Sequence, residues 1–118
     1  SLQLALGMTA AVCDKDTVIA ASGPCRKELM DKPIHSDLEE LMDRRGRLCV
    51  GADGGTAPHI TADGAQPFAA AAIATIICAG DPIGAVMLLS RDENASIGRA
   101  EQKATETAAN FLGKQMEG

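Results

Sequence analysis

The 118-residue sequence predicts an α+β fold in which an antiparallel sheet is covered by helices on both faces. Three observations carry that expectation. Residues 68–78 and 83–90 are apolar runs without alternation, so the strands they predict need cover on both faces. Residues 8–13 and 17–22 are shorter runs of strand formers around Asp14-Lys15-Asp16, a polar turn that predicts a β-hairpin. Residues 98–116 carry apolar side chains at helical spacing, predicting a long amphipathic helix.

Taken in order, Leu2, Leu4 and Leu6 ahead of Gly7 predict the last turn of a helix with Gly7 as its cap. Because the chain opens on Ser1 rather than Met, an upstream part is expected to be missing. After the hairpin, Pro24 suits a first helical position, where its missing N–H would be unpaired anyway, and predicts a short helix over 24–31. Pro33 ends it. Ser36-Asp37-Leu38-Glu39 has the spacing of a capping box and opens a second helix, with Leu38, Leu41 and Met42 on one face and Gly46 as terminator.

Residues 51–67 are clusters of Gly, Asp, Ala and Pro around His59-Ile60-Thr61, with little apolar area to bury. They predict a long mobile loop with one short edge strand in its middle, read as a variable insertion rather than a lid. In the strand pair that follows, Asp81-Pro82 is expected to set the turn, and Ile76, Ile77, Val86 and Leu88 to be covered on both faces. Ala70, Ala72 and Ala74 share one face, where small side chains would let a helix come close. On the final helix the expected apolar stripe is Ala100, Ala104, Ala108, Phe111, Leu112 and Gln115.

Composition limits the function. A formal net charge of -5 without a basic cluster leaves no face for a phosphate backbone, so this segment is not expected to bind nucleic acid by itself. The densest basic run, 43–47, falls at a helix end, where cations offset the macrodipole. No apolar run reaches the ~18 residues that span a bilayer and no leader opens the chain, so a soluble, cytoplasmic segment without membrane contact is expected. Cys13, Cys25, Cys49 and Cys78 form no C-x-x-C pair and read as reduced thiols; His35 and His59 read as isolated, and no metal site is expected.

Four stretches carry a resemblance: "VCDKD" at 12–16, "IAASG" at 19–23, "GDPIGAV" at 80–86 with "SRD" at 90–92, and "KATETAANFLGKQME" at 103–117. Together they resemble the C-terminal GAF domain of the stage V sporulation protein T family, AbrB-like transition-state transcription regulators. The resemblance covers nearly the whole chain, with 51–72 departing from it by being richer in Gly and Ala. It implies a single GAF/PAS-like domain over 1–118, terminal helices that pair with a second subunit in a bundle, and a small-molecule pocket under the short helices. It also implies that DNA is bound only by an AbrB-like domain absent from this chain, and that the protein acts on forespore genes.

On that reading the dimer interface is Leu2, Leu6, Ala104, Ala108, Phe111 and Leu112, and the pocket lining is Ser22, Leu29, Ile34, Leu38, Leu41, Ile76 and Cys78. The expected function is a sensor and oligomerisation domain, not an enzyme, with no cofactor and no ligand named by the sequence. Two other readings stand open: an enzyme such as a free methionine sulfoxide reductase, for which only Cys25 near a helix start has a suitable setting, and a ligand-free structural dimerisation domain. Cyclic-nucleotide binding has little support, because no glycine loop leads from a strand into a helix.

Overall fold

The computed structural model describes residues 7–51 and 55–118. Its sheet holds β1 (Thr9–Cys13), β2 (Val18–Ser22), β3 (Arg47–Val50), β4 (Ala70–Cys78) and β5 (Asp81–Ser90), in the order β2-β1-β5-β4-β3 with every neighbouring pair antiparallel. Among the described residues three helices accompany it: α1 (Arg26–Leu29), α2 (Ser36–Asp43) and α3 (Arg99–Met116). The two long apolar strands are central, as their lack of alternation requires.

Local chemistry fixes the turns. Asp14 Oδ1 accepts the N–H groups of Asp16 and Thr17 at 2.7 and 2.8 Å, which closes the β1–β2 hairpin where the sequence placed it. The β4–β5 turn is displaced from its expected place. Ala79 and Gly80 form it, with φ of 51° and 86°, the left-handed pair whose twist matches a two-residue hairpin. Asp81 and Pro82 are instead the first residues of β5, where Pro82 lies opposite Ile77 beside a register shift. The Arg45 guanidinium donates twice to the Gly80 carbonyl, at 3.0 and 2.8 Å, holding this turn against the end of α2.

Three further expectations are corrected. The N-cap of α2 is His35 rather than Ser36: its Nδ1 accepts the Asp37 N–H at 2.9 Å, so Ser36 already lies inside the helix and the Ser36–Glu39 box does not form. The edge strand is β3, directly after Gly46, while 59–61 contribute only a bridge from Thr61 to Ile34. The segment around that bridge is anchored, with Ala57 and Ile60 buried in the core. Single apolar residues spaced along a Gly-rich stretch show no periodicity, which is why they read as loop.

The faces of the sheet divide by strand parity. Ala11, Cys13, Ala71, Ile73, Ala85, Met87 and Leu89 meet Leu29 of α1 and Leu38, Leu41 and Met42 of α2 in the main core. Ala70, Ala72, Ala74 and Ile76 point to the opposite face, against Ile97, Ala109 and Leu112. Within the alanine stripe Ala74 meets the helix, as expected, while Ala70 and Ala72 pack on Ile97 just ahead of it. The buried side of α3, however, is Glu101, Thr105, Ala109 and Gly113 rather than the expected alanine stripe. A Cβ on Gly113 would lie 2.2 Å from the Ile77 carbonyl oxygen, so only glycine permits this approach. Glu101 is buried because its Oε1 accepts the Gly98 N–H at 2.8 Å and caps the helix start.

Burial also corrects one strand position. Ile76 is buried and Val86 and Leu88 are half-buried, but Ile77 is 38% exposed near the end of β4, where a charge would reach water. The "SRD" stretch has a structural part: the Arg91 guanidinium lies 4.1 Å from the Phe68 ring centroid, donates to the carbonyls of Gln66 and Pro67, and pairs with Glu28 of α1.

Gly84 is the tightest backbone approach in the sheet: a Cβ there would sit 2.1 Å from the Cys13 carbonyl oxygen. Gly84→Ala should cost about 1–3 kcal/mol, read as a lower urea midpoint at unchanged m-value. Asp14 is held below its ordinary 3.8 by the N–H donors of Thr17 and Asp16. A depressed native pKa adds stability that is complete above the ordinary carboxylate range and is lost as pH falls through the native value. The midpoint difference between wild type and Asp14→Ala should accordingly shrink between about pH 6 and about pH 2.

Candidate functional site: an apolar groove beside the last helix

Helix α3 runs over β4 and leaves β1, β2 and part of β5 without a helix on that face among the described residues. Ala10 and Val12 of β1, Ala20 and Ser22 of β2, and Val86 and Leu88 of β5 form the floor of a groove of ≈360 Å³; Ala104, Thr105 and Ala108 of α3 form its wall. The register explains the floor: Ala10 pairs with Ser22 and Leu88, and Val12 with Ala20 and Val86, so all six point the same way. Beyond the wall, Ala104 and Ala108 continue outward with Ala100, Thr107 and Phe111. Phe111 is 61% exposed, although Phe is one of the scarcest residue types in this sequence.

The expected interface residues fall on this surface in part. Ala104, Ala108 and Phe111 line it; Leu112 is half-buried against Ala74 and Ile76; Leu2 and Leu6, with the helix turn expected around them, lie outside the described residues. The expected pocket residues do not form one wall. Leu29, Ile34, Leu38 and Leu41 lie together in the main core, packed with Ile73 and Met87. Ile76 points to the α3 face, Ser22 lines the groove, and Cys78 is half-buried at the end of β4. Parity along β4 separates Ile76 from Leu38, a distinction that needs the register and not merely the strand.

The thiols do not assemble either. Cys13 sits on β1 and Cys49 on β3, three strand spacings or about 14 Å apart, far beyond disulfide reach. Cys13, Cys25 and Cys78 are free thiols, and Cys49 directs its sulfur at the carbonyl oxygens of Ile97 and Gly98. Cys25 is half-buried and precedes a helix of only four residues. Burial pushes the Cys13 thiol up to about 12, which keeps it protonated near pH 8.

The two histidines, expected to be isolated, are brought together. The His35 and His59 rings stack with centroids 4.6 Å apart and 24° between planes. Asp37 Oδ2 accepts the His59 N–H at 3.0 Å and lies 2.9 Å from His59 Nδ1. The His59 side-chain hydrogen bond, followed by its backbone bond, holds the Asp37 carboxyl below its ordinary range. Residues so far apart in sequence gave no spacing signal.

Iodoacetamide at about pH 8 should leave Cys13 unmodified in the folded chain and label it once urea unfolds the sheet, read by peptide mass mapping. Labelling of Cys13 at the rate of Cys25 in the native protein would contradict this burial.

The family described as "Stage V sporulation protein T C-terminal, transcription factor" matches residues 1–117. Stage V sporulation protein T of Bacillus subtilis (strain 168) is 37% identical over 112 residues, covering 95% of this chain and 61% of that relative. The chain thus spans less than two thirds of the relative's length. Among the described residues no helix is long and apolar enough to cross a membrane. The family match over nearly every residue, with the relative's agreement across the same stretch, places the chain in the family of stage V sporulation protein T C-terminal domains.

Proposed function

We propose that residues 1–118 form one GAF-like regulatory and self-association domain of a sporulation transcription regulator, acting in the cytoplasm of the forespore. The observation that carries this reading is the outward apolar surface of α3, Ala104, Ala108 and Phe111, continuous with the groove on the β1–β2–β5 face. A second copy of the chain is its occupant: two α3 helices related by a twofold axis would present the same stripe to each other. An exposed Phe111 beside Ala104 and Ala108, on a helix that already buries its opposite side, fits an interface better than a solvated face.

DNA contact in this reading belongs to a part of the protein outside the matched stretch, since the chain carries a net charge of -5. Self-association would set the spacing and orientation of those DNA-binding parts. Small-molecule sensing enters through the groove beside Ser22, where an apolar ligand would favour one arrangement of the paired helices over another. Entry under α2 instead would require displacing Leu38 and Leu41, which are 0% and 2% exposed.

Light scattering coupled to size exclusion should report a dimer of the 118-residue chain at high micromolar concentration. Phe111→Glu should convert it to a monomer with unchanged far-ultraviolet circular dichroism, because Phe111 contributes little to the fold of its own subunit. A monomeric wild type, or a dimer indifferent to this substitution, would refute the assignment of the interface.

A further inference from the structure

We propose that His35, Asp37 and His59 form a binding site for a divalent transition-metal ion of the zinc, cobalt and nickel class. One ligand atom from each residue lies within 4.8 Å of the other two. Tetrahedral coordination with metal–ligand bonds of about 2.0–2.1 Å separates ligand atoms by about 3.3 Å. Asp37 Oδ2 and His59 Nδ1 are 2.9 Å apart, and Asp37 Oδ1 and His35 Nδ1 are 3.5 Å apart, so side-chain rotations alone would admit an ion.

The backbone under these ligands is already fixed. His35 is the N-cap of α2 and Asp37 sits in its first turn. The His59 N–H is held by Asp37 Oδ2 at 3.0 Å, and the His35 N–H by the Ile60 carbonyl at 2.8 Å. Ile60 and Leu38, the neighbours of these residues, are both buried in the main core. Little conformational entropy is left for the ion to remove. The three side chains are 30%, 38% and 43% exposed, which leaves an open approach and room for water in the remaining coordination positions.

Ligand chemistry selects the ion. Two imidazoles and one carboxylate suit zinc and its neighbours, whereas calcium and magnesium need several oxygen ligands. A lone carboxylate at the positive end of a helix is a poor seat for a hard cation held by charge alone. Coordination through His59 Nδ1 would replace the proton between that nitrogen and Asp37, which leaves to solvent. Coordination through His35 Nδ1, the nitrogen 3.5 Å from Asp37 Oδ1, would exchange its cap bond from the Asp37 N–H for the metal. A bound ion would tie residues 59–61 to the start of α2, and this holds independently of how α3 helices pair.

The test is titration of the untagged, chelator-stripped 118-residue chain with zinc chloride by calorimetry, with cobalt(II) absorption as a probe of ligand type. The expected result is one zinc per chain, a cobalt spectrum without a thiolate charge-transfer band, and affinity reduced at least ~tenfold by His35→Ala and by His59→Ala. His59→Gln repeats the measurement should the alanine variant fail to fold. Absence of zinc binding by the wild type, binding unaffected by all three substitutions, a thiolate band in the cobalt spectrum, or displacement of zinc by an equal concentration of calcium would each overturn the proposal.

Discussion

The seating of α3 on β4 is the constraint on which the rest of the structure depends. Ala70 and Ala72 lie under Ile97 at the entry to the helix, Ala74 lies under Ala109, and Thr105, Ala109 and Gly113 present an equally shallow helix face. Small meeting small brings the backbones together until Gly113 lies against the Ile77 carbonyl. Such a contact excludes water by closeness rather than by large side chains, and it is intolerant of added volume. With that face committed, every larger apolar residue of α3 must point sideways or outward. Leu112 turns toward Ile76, and Phe111 is left in solvent.

The two faces of the sheet consequently differ in kind. Under α1 and α2 the core is built from leucine, isoleucine, methionine and phenylalanine side chains that fill space in depth. Under α3 the layer is thin, one helix wide, and it ends at a groove with a floor of alanine, valine and leucine. The first face holds the fold together; the second leaves apolar surface over. That asymmetry is what links the packing of this chain to self-association, the role proposed for it.

Much of the architecture was legible in the sequence. The hairpin at Asp14, the two central strands, the long last helix and the alanine seat all follow from patterns of period 2 or 3.6 and from turn chemistry. What was not legible depended on register. Spacing marked Ala104 and Ala108 as an apolar stripe, but Glu101 and Thr105 are buried one step around the helix, because Glu101 caps Gly98 and Thr105 bonds the Gln102 carbonyl. A polar group satisfied within its own helix can be buried, and hydropathy cannot see that. Ile76 lies on the α3 face rather than beside Leu38 for the same reason, and β3 is a four-residue strand recognisable only by its pairing with β4. The His35–Asp37–His59 cluster is a tertiary meeting of a cap and a loop, invisible to any local pattern.

The most direct test of the thin-layer account is hydrogen exchange on Ala72→Leu. Ala72 is fully buried on the face of β4 that α3 covers, packed with Ile97 just ahead of the helix, so the added volume has no local route to solvent. The account predicts that amides along α3 lose protection, while those of β1, β5 and α2 around Leu38 and Met87 keep theirs. Unchanged α3 protection in a folded Ala72→Leu protein would show that the helix does not depend on its alanine floor, and would contradict the account at its base.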